Sequence, residues 1–301
     1  MGLGEAILYG IVQGLTEWLP ISSTAHLRIM TALLHHQDPG AGFTAVIQLG
    51  TTLAVIIYFA KDLGAAIRAW LRSLGGKGRD THEAKIGWGV FWGSFPIMIF
   101  GFLLKDIIKS DAIRSLYVIA VTLIVGGALM GVAQRYDERP DKGPDDKGRR
   151  SHRRSLQDIT VGDGVIIGFW QCLALLPGMS RSGSTISGGL FAGLDRVAAA
   201  RYSFLLSVPS VAAAGFYELF QERHNIMGPQ LGATVVATVV SFIVGYASIA
   251  WLIKFIAKKG VGVFVIYRIV LGVVLLGLIA GGIVSPISTS PDEKKVETPV
   301  R

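Results

Sequence analysis

The architecture of this chain depends on two stretches, residues 10–26, GIVQGLTEWLPISSTAH, and residues 168–185, GFWQCLALLPGMSRSGST. In each, an apolar run ends in Leu-Pro and is followed by a turn rich in Ser, Gly and Thr. The two apolar runs, 6–19 and 164–176, are shorter than the ~20 residues that a spanning helix needs. They predict re-entrant helical hairpins, which are tolerated at membrane depth only where protein or a wet cavity surrounds the backbone.

The composition predicts a membrane protein. The chain has 301 residues, of which 51% are apolar and 17% charged, with a mean hydropathy of +0.51. One soluble core could not hide this much apolar surface. The net charge of +8 suggests a nucleic-acid partner at first, but the basic residues lie in short runs between apolar segments. That pattern favours membrane orientation instead, so we expect a lipid bilayer as partner and no nucleic acid.

Six further stretches approach spanning length, which predicts an all-α integral membrane protein. The last contains Arg268 near one end, where a long basic side chain is expected to snorkel toward the interface. The six stretches are 42–60, 86–104, 115–133, 202–217, 229–253 and 261–284.

Basic residues orient the predicted spans, because Lys and Arg are retained on the cytoplasmic side. The predicted loops 61–85 and 134–158 are rich in Lys and Arg, and Lys254, Lys258 and Lys259 form a third cluster. All three are therefore expected to be cytoplasmic. The short loop from Lys105 to Arg114 is then outside.

The two hairpins resemble one another in their shared G-x-x-Q and Leu-Pro, and each precedes three predicted spans. An odd number of spans per half gives the halves opposite orientations, which predicts an inverted repeat. The predicted organisation is a first repeat over 1–133 with its hairpin at 4–35, a charged cytoplasmic loop over 134–158, a second repeat over 159–284 with its hairpin at 160–195, and a disordered tail over 285–301.

The first hairpin carries the groups suited to acid-base chemistry. Gln13 and Glu17 are four residues apart and so share one helix face. An ionisable residue at membrane depth is expected to be functional, and Glu17 could accept a proton or bind a divalent cation with Gln13. The hydroxyls of Ser22, Ser23 and Thr24 are typical helix caps. His26 follows them and can donate, accept or attack at neutral pH.

The second hairpin carries a predicted phosphate cradle. Arg181 supplies a planar fork that matches phosphate oxygens, and backbone N–H groups at a helix start attract the same anion. Hydroxyl groups surround this arginine at Ser180, Ser182, Ser184 and Thr185. If the two hairpins meet near the membrane midplane, the combination predicts phosphoryl transfer. The attacking group is left open between His26, a serine and water.

The chain resembles the undecaprenyl-diphosphate phosphatase family of bacteria, also called the bacitracin-resistance protein family. The family's E/Q-x-x-x-E motif is similar to Gln13–Glu17, its continuation to SSTAHL, and its P-G-x-S-R-S-x-x-T motif to Pro177–Thr185. The resemblance implies removal of the terminal phosphate from undecaprenyl diphosphate, which recycles the carrier lipid for peptidoglycan synthesis. It also implies bacitracin resistance, a divalent cation such as Mg²⁺ or Ca²⁺, and an inner-membrane site that opens to the outer face.

The candidate site residues fall into three groups, of which Gln13, Glu17, Ser23, His26, Ser180, Arg181 and Thr185 are carried over by position from the family motifs. The catalytic group is Glu17, Ser23, His26 and Arg181; the phosphate-binding group is Ser22, Thr24, Ser180, Arg181, Ser182 and Thr185; the metal-binding group is Gln13 and Glu17. Oligomeric state is open, with a homodimer as one option. The competing hypotheses are a polyprenyl-phosphate transporter or flippase that uses the same inverted-repeat pocket and a purely structural membrane scaffold.

Overall fold

The computed structural model describes residues 1–34, 40–138, 153–221 and 231–286. Within these ranges the chain folds into α-helices with short 3₁₀ turns, which confirms the predicted all-α class. Most of the predicted loop 134–158 and nearly all of the predicted tail lie outside the described residues. In chain order the helices are α1 (Leu3–Thr16), α2 (Ser23–Leu33), α3 (Gly40–Tyr58), α4 (Ala60–Leu74), α5 (His82–Leu103), α6 (Lys105–Lys109), α7 (Asp111–Arg114), α8 (Leu116–Asp137), α9 (Val161–Gln171), α10 (Arg181–Phe191), α11 (Arg196–Gln221), α12 (Leu231–Lys259) and α13 (Gly262–Ala280).

Five helices of the described ranges are long and apolar enough to cross a membrane, namely α5, α8, α11, α12 and α13. A sixth span results if α3 and α4 are taken together, although they meet at a bend of 78°. The expectation of a simple loop over 61–85 is therefore wrong for its first half, because α4 occupies it. The predicted short span at 202–217 is longer than expected, since α11 has 26 residues.

The hairpins are formed by α1 with α2 and by α9 with α10. The first arm of each packs on a long helix of the other half, α1 on α12 and α9 on α5. Glycines allow this close approach: a Cβ on Gly168 would lie 2.2 Å from the carbonyl oxygen of Gly93. Each hairpin therefore packs against a helix of the other half of the chain, while the inverted repeat and the opposite orientation of the halves in a membrane stay predictions.

Each hairpin has a tip, formed by the residues between its two helices and the first residue of the second helix: 17–23 in the first hairpin and 172–181 in the second. The two tips share an unusual backbone. Ser22, with φ 73° and ψ 99°, and Ser180, with φ 65° and ψ 116°, are the only non-glycine residues of the described chain with positive φ. Such conformations are costly for residues with a Cβ and cluster at functional sites. Each serine caps the helix that follows, with Oγ accepting from the Ala25 amide at 3.4 Å and from the Gly183 amide at 3.2 Å.

The chain that leads into the second hairpin is fastened by a bidentate ion pair. Arg154 donates from both terminal nitrogens to the Asp163 carboxylate at 2.9 Å. Nearby, hydrogen bonds from the Ser155 hydroxyl and amide hold the pKa of the exposed Asp158 carboxyl below its usual value. These contacts fix the start of α9 and so the position of the second hairpin.

The prediction that Arg268 snorkels is wrong. Its side chain is fully buried in α13 and points inward. The guanidinium donates to the carbonyls of Gly178 at 3.0 Å and Met179 at 2.8 Å in the second tip, and reaches the carbonyl of Pro20 in the first tip at 3.5 Å. Backbone carbonyls of the two tips, rather than the membrane interface, surround this cation.

Candidate active site

A cavity of about 550 Å³ lies between α5 and α11, and the two hairpin tips line its polar part. The apolar walls come from α5, α11 and the 3₁₀ turn Cys172–Leu175 with the residues after it. Its polar lining consists mainly of Glu17, Ser22, Ser23, Thr24, Gln48, Ser180 and Arg181. A charged floor under apolar walls suits an amphiphile with an anionic head.

Glu17 is the centre of the polar floor. Its side chain is nearly fully buried and accepts four hydrogen bonds. Oε1 accepts from the Gln48 amide at 2.7 Å and from Arg181, while Oε2 accepts from the Gln13 amide at 2.9 Å and from the Ser23 hydroxyl at 2.6 Å. Because a carboxylate has about four lone-pair sites, its acceptor capacity is filled.

Arg181 joins the two hairpins. It is the first residue of α10, and its guanidinium forms an ion pair with Glu17 of the other hairpin. The same guanidinium lies 5.6 Å from the centre of the Trp18 ring, in cation–π range. The structure therefore brings together the carboxylate and the guanidinium, which are 164 positions apart in the chain.

Ser23 is the hydroxyl best placed for chemistry. It begins α2, lines the cavity, and donates to Glu17. This is the geometry of a nucleophile within reach of a general base. The pair is formed by residues of one hairpin tip, and the Arg181 cation of the other tip lies beside it.

The remaining predicted hydroxyls divide into two sets. Ser22, Thr24 and Ser180 line the cavity, whereas Ser182 and Thr185 do not line it. Ser182 Oγ donates to the carbonyl of Leu19 at 3.1 Å and so ties one tip to the other. Thr185 is fully buried and donates to the carbonyl of Arg181 at 2.8 Å. Ser182 and Thr185 therefore hold the backbone of the tips that form the cavity floor without lining the cavity themselves.

His26 is not among the residues that line this cavity. Its Nδ1 lies 2.7 Å from the carbonyl oxygen of Ser22, and its Nε2 lies 2.6 Å from the hydroxyl of Tyr267. The carbonyl can only accept, so Nδ1 carries the proton and Nε2 of the neutral ring accepts from Tyr267. In this arrangement His26 supports the tip at Ser22.

Two contributors to the site were missed in the sequence. Gln48 of α3 donates to Glu17, and Arg268 of α13 holds both tips. The signal was present, because each is a polar residue inside an otherwise apolar span. What the sequence does not show is which tip such a residue contacts.

The predicted cation ligands do not fit a resident metal site. Gln13 Oε1 is buried without a hydrogen-bond partner and is free to bind a cation. However, both oxygens of Glu17 already accept from N–H or O–H donors, one of them the Arg181 guanidinium. Among the described residues no group of three His, Cys, Asp or Glu side chains could hold a metal ion, whereas Mg²⁺ and Ca²⁺ take six or more oxygen ligands.

Comparison with known proteins points in one direction. The family model described as "Bacitracin resistance protein BacA" matches residues 6–274. The undecaprenyl-diphosphatase of Streptomyces griseus subsp. griseus is 52% identical over 285 residues, covering 94% of this chain and 96% of the relative. Undecaprenyl-diphosphatase 2 of Streptomyces avermitilis is 48% identical with the same coverage. The undecaprenyl-diphosphatase of Thermobifida fusca is 48% identical over 96% of this chain and 94% of the relative.

Proposed function

The chain belongs to the bacitracin resistance protein BacA family, and we propose that it is an integral membrane phosphatase that hydrolyses undecaprenyl diphosphate to undecaprenyl phosphate and phosphate. The reaction recycles the carrier lipid for peptidoglycan synthesis and confers bacitracin resistance. The observation that carries the proposal is the Ser23–Glu17–Arg181 cluster at the polar floor of a cavity with apolar walls.

The cavity fits the two ends of this substrate. The terminal phosphate binds at the floor, where the guanidinium of Arg181 and the start of α10, which lines the cavity at Ser180 and Arg181, attract an anion. The isoprenoid chain lies along the apolar side chains of α5 and α11, which include Ile97, Met98 and Val211. A lipid can enter laterally because outward side chains of α5 such as Phe102 are well exposed.

Substrate binding prepares the base. Phosphate oxygens compete with Glu17 for the guanidinium of Arg181, since both are anionic partners of the same fork. When Arg181 turns to phosphate, Oε1 of Glu17 loses its cationic partner and becomes freer to accept a proton. In the substrate-free protein the ion pair thus keeps Arg181 in place to bind phosphate and Glu17 in place to accept a proton.

The hydroxyl of Ser23 then attacks the terminal phosphorus. Its oxygen forms the new O–P bond, its proton passes to Glu17, and the bond between the bridging oxygen and the terminal phosphorus breaks. Undecaprenyl phosphate leaves with that bridging oxygen and the bonding electron pair. Arg181 stabilises the charge on the transferred group.

Water completes the turnover. Before the water attacks, Glu17 passes the serine proton to the departing undecaprenyl phosphate and is a carboxylate again. It then takes a proton from the water as the water oxygen bonds to the phosphorus of the phosphoserine. The bond between that phosphorus and Oγ of Ser23 breaks, Glu17 returns the proton to the serine oxygen, and inorganic phosphate leaves. Assigning the attack to Ser23 follows from geometry, because His26 is bonded to Ser22 and Tyr267 outside the cavity lining.

A divalent cation enters this proposal with the substrate. Gln13 Oε1 has no hydrogen-bond partner, whereas both oxygens of Glu17 are occupied by donors, so the diphosphate oxygens would provide the anionic ligands. The cation would neutralise phosphate charge when bound. No step above requires more of it.

We place the protein in the bacterial inner membrane with the cavity open to the outer face. The cavity lies at the end of α5 that carries Phe102 and continues to Lys105, whereas the basic stretch 61–85 adjoins the opposite end of this helix. If the basic stretch is cytoplasmic, the cavity faces outward. A homodimer is one option for the assembly, testable by light scattering of the purified protein.

Cysteine labelling tests the orientation. In a Cys172→Ser background, Lys77→Cys and Lys258→Cys are expected to react with an impermeant maleimide only after the cytoplasmic face is exposed. Asp106→Cys is expected to react in intact cells. The reverse pattern at any one position would contradict the placement.

Phosphate release tests the activity. Purified wild-type protein in detergent, with added Mg²⁺ or Ca²⁺, is expected to release phosphate from undecaprenyl diphosphate. Ser23→Ala is expected to lose nearly all of this activity, because it removes the attacking group. An inactive wild type would contradict the hydrolase, and an active Ser23→Ala would contradict the assigned nucleophile.

A second candidate, transport of the lipid monophosphate, is favoured by an asymmetry between the halves. α3 packs closely along α12, where a Cβ on Gly50 would lie 2.3 Å from the carbonyl oxygen of Thr238. The corresponding pair in the other half, α5 and α11, instead diverges around the cavity. Opening one crevice while closing the other would expose the floor to each side in turn. Transport would be detected by reconstituting the purified protein in vesicles and measuring the movement of undecaprenyl phosphate from one leaflet to the other.

A further inference from the structure

Arg268 is a buried cation that pairs with no carboxylate in the part of the chain that the structure describes. The side chain is fully buried, and Nε has no hydrogen-bond partner. In the described structure, each hydrogen bond of the guanidinium goes to a backbone carbonyl. Burying an uncompensated charge costs several kcal/mol, so this residue calls for an explanation beyond packing.

The carbonyls that it contacts belong to both hairpin tips and to the helix between them. Nη1 reaches Pro20 of the first tip at 3.5 Å. Nη2 bonds Gly178 and Met179 of the second tip and reaches Thr122 of α8 at 3.4 Å. One guanidinium therefore links two chain segments that are about 160 positions apart.

The surrounding chain leaves room for this link. A Cβ on Gly126 would lie 2.1 Å from Nη2 of Arg268, and a Cβ on Gly183 would lie 2.7 Å from Nη1. The second tip has another tie to α8, because the Thr122 hydroxyl donates to the carbonyl of Pro177. Arg268 and Thr122 thus hold the same turn from neighbouring helices.

The anchored carbonyls lie next to the reacting groups in the chain. Pro20 precedes Ser23 by three residues, and Met179 precedes Arg181 by two. A displacement of about 1 Å can lower a rate by ~10²-fold. On the basis of the proposed phosphatase activity, we propose that Arg268 is a positioning residue that sets the separation between the Ser23–Glu17 pair and Arg181.

The test compares variants of Arg268 with a control on the same helix. Arg268→Met removes the donors but keeps much of the length, and Arg268→Lys keeps the charge with fewer, differently directed donors. Val270→Ala changes a lipid-facing neighbour that is 53% exposed. The readouts are kcat and KM for phosphate release and the melting temperature in the same detergent.

We expect Arg268→Met to lower kcat by ~10²-fold with KM within threefold of wild type. Arg268→Lys is expected to lose about tenfold, and Val270→Ala less than twofold. Unchanged kcat in a folded Arg268→Met would overturn the proposal. So would a raised KM with unchanged kcat, because that pattern indicates a charge that binds substrate rather than a group that positions the tips.

Two measurements keep the proposal testable if Arg268→Met does not fold. Guanidinium ion added to Arg268→Ala is expected to restore part of kcat. In a double-mutant cycle, Thr122→Val and Arg268→Lys are expected to be non-additive on kcat, because both side chains hold the second tip. Independent, additive effects together with no guanidinium rescue would contradict positioning.

Failure of this inference can be told apart from failure of the proposed function. If wild type releases no phosphate, the hydrolase is wrong whatever Arg268 does. Binding of a non-hydrolysable methylene diphosphonate analogue, measured by thermal shift, gives an activity-independent control. Arg268→Lys is expected to bind this analogue within threefold of wild type.

A second, independent feature is the surface of α4. This amphipathic helix leaves α3 at a bend of 78° and packs on α5 through the buried Ala66 and Ser73. Two other faces are exposed. The apolar one carries Ile67, Leu71 and Leu74, and the basic one carries Lys61, Arg68 and Arg72.

The arrangement of these faces suits a membrane surface. Residues of the apolar face recur three or four positions apart and therefore form one stripe, about a third of a turn from the basic stripe. Arg201 of α11 bonds Asp62 at the start of α4 at 2.6 Å, which fixes the helix beside the spans. Helices of this kind lie in the interface and bind anionic lipids. We infer that α4 binds anionic phospholipid headgroups through Arg68 and Arg72.

A fluorescent label at Leu71→Cys in the Cys172→Ser background tests this surface. In vesicles of phosphatidylcholine with phosphatidylglycerol, the label is expected to show apolar emission. Quenching by spin-labelled phosphatidylglycerol is expected to exceed quenching by spin-labelled phosphatidylcholine about twofold. The control label at Val270→Cys on α13 is expected to show a ratio near one.

The double variant Arg68→Gln with Arg72→Gln is expected to lower the quenching ratio at Leu71→Cys to about one, and so is 0.5 M salt. Two results would overturn the inference. One is water-exposed emission at position 71, and the other is an unchanged ratio in the double variant.

Discussion

The two hairpin tips have nearly the same backbone but different chemical groups. Ser22 and Ser180 share positive φ, and each caps the helix behind it. The residue after each serine differs: it is Ser23 in the first tip and Arg181 in the second. One tip thus supplies the reacting hydroxyl with its carboxylate, and the other supplies the cation.

This difference shows how a repeated turn can build an asymmetric site. The shared backbone places the N-termini of α2 and α10 at the same cavity floor. Each N-terminus attracts an anion, so both favour phosphate binding there. The side chains then separate attack from charge stabilisation. Substitutions that remove one function while keeping the shared backbone test this division directly.

The largest effect is expected from Glu17→Gln. The amide keeps the shape but cannot take the proton of Ser23 or pair with Arg181, so kcat for phosphate release should fall by ~10³-fold or more. Glu5→Gln, at the other end of α1, is the matched control and should stay within twofold. A loss of less than tenfold in Glu17→Gln would contradict the assignment of Glu17 as the general base.

Arg181→Lys should produce the next largest loss. A lysine keeps the charge but not the planar fork, so kcat should fall by ~10²-fold. Arg201→Lys is the control, because Arg201 also pairs with a carboxylate, Asp62, but away from the cavity floor. Equal losses in the two variants would show that ion pairing in general, rather than the second tip, is being measured.

The glutamines of the two G-x-x-Q patterns, Gln13 and Gln171, provide a matched pair. Gln13 donates to Glu17, whereas Gln171 accepts a long 3.4 Å hydrogen bond from Ser210. Gln13→Ala should lower kcat about tenfold, which corresponds to the ~1.4 kcal/mol of a hydrogen bond to a charged group, and Gln171→Ala less than threefold. A larger loss of kcat in Gln171→Ala than in Gln13→Ala would contradict the account, because it would indicate that the reacting groups lie in the second tip.

The smallest effect is expected from Tyr267→Phe. It removes the hydroxyl that bonds Nε2 of His26, while Nδ1 can still hold the Ser22 carbonyl. Activity should fall by about threefold at most, because only one of the supports of the first tip is lost. A loss as large as that of Arg181→Lys would instead indicate that the His26–Tyr267 pair takes part in the reaction.

Local patterns predicted much of this structure. Apolar length predicted five of the six spans, and Leu-Pro followed by a polar turn with several hydroxyl residues predicted both hairpins. The approach of Glu17 to Arg181 followed from placing two short, polar-ended helices at the same depth. These features depend on residues close together in the chain or on one simple membrane constraint.

The contacts that the sequence did not predict depend on long-range packing. Whether Arg268 snorkels or turns inward depends on small residues such as Gly126 and Gly183, which lie on other helices. The role of His26 depends on Tyr267, 241 positions away. α4 was missed because its basic residues were assigned to a cytoplasmic loop. Its apolar residues are separated in the sequence by polar ones and form a stripe only at helical spacing.

Mapping of the transferred phosphate tests the central claim most directly. Wild-type protein is mixed with undecaprenyl diphosphate that carries a radiolabelled terminal phosphate. One portion is quenched within milliseconds in acid, which preserves phosphoserine, and another in alkali, which preserves phosphohistidine, and both are digested for peptide analysis. We predict acid-stable label on Ser23. Label on His26, or turnover with no protein-bound label at any quench time, would contradict the division of chemistry between the two tips.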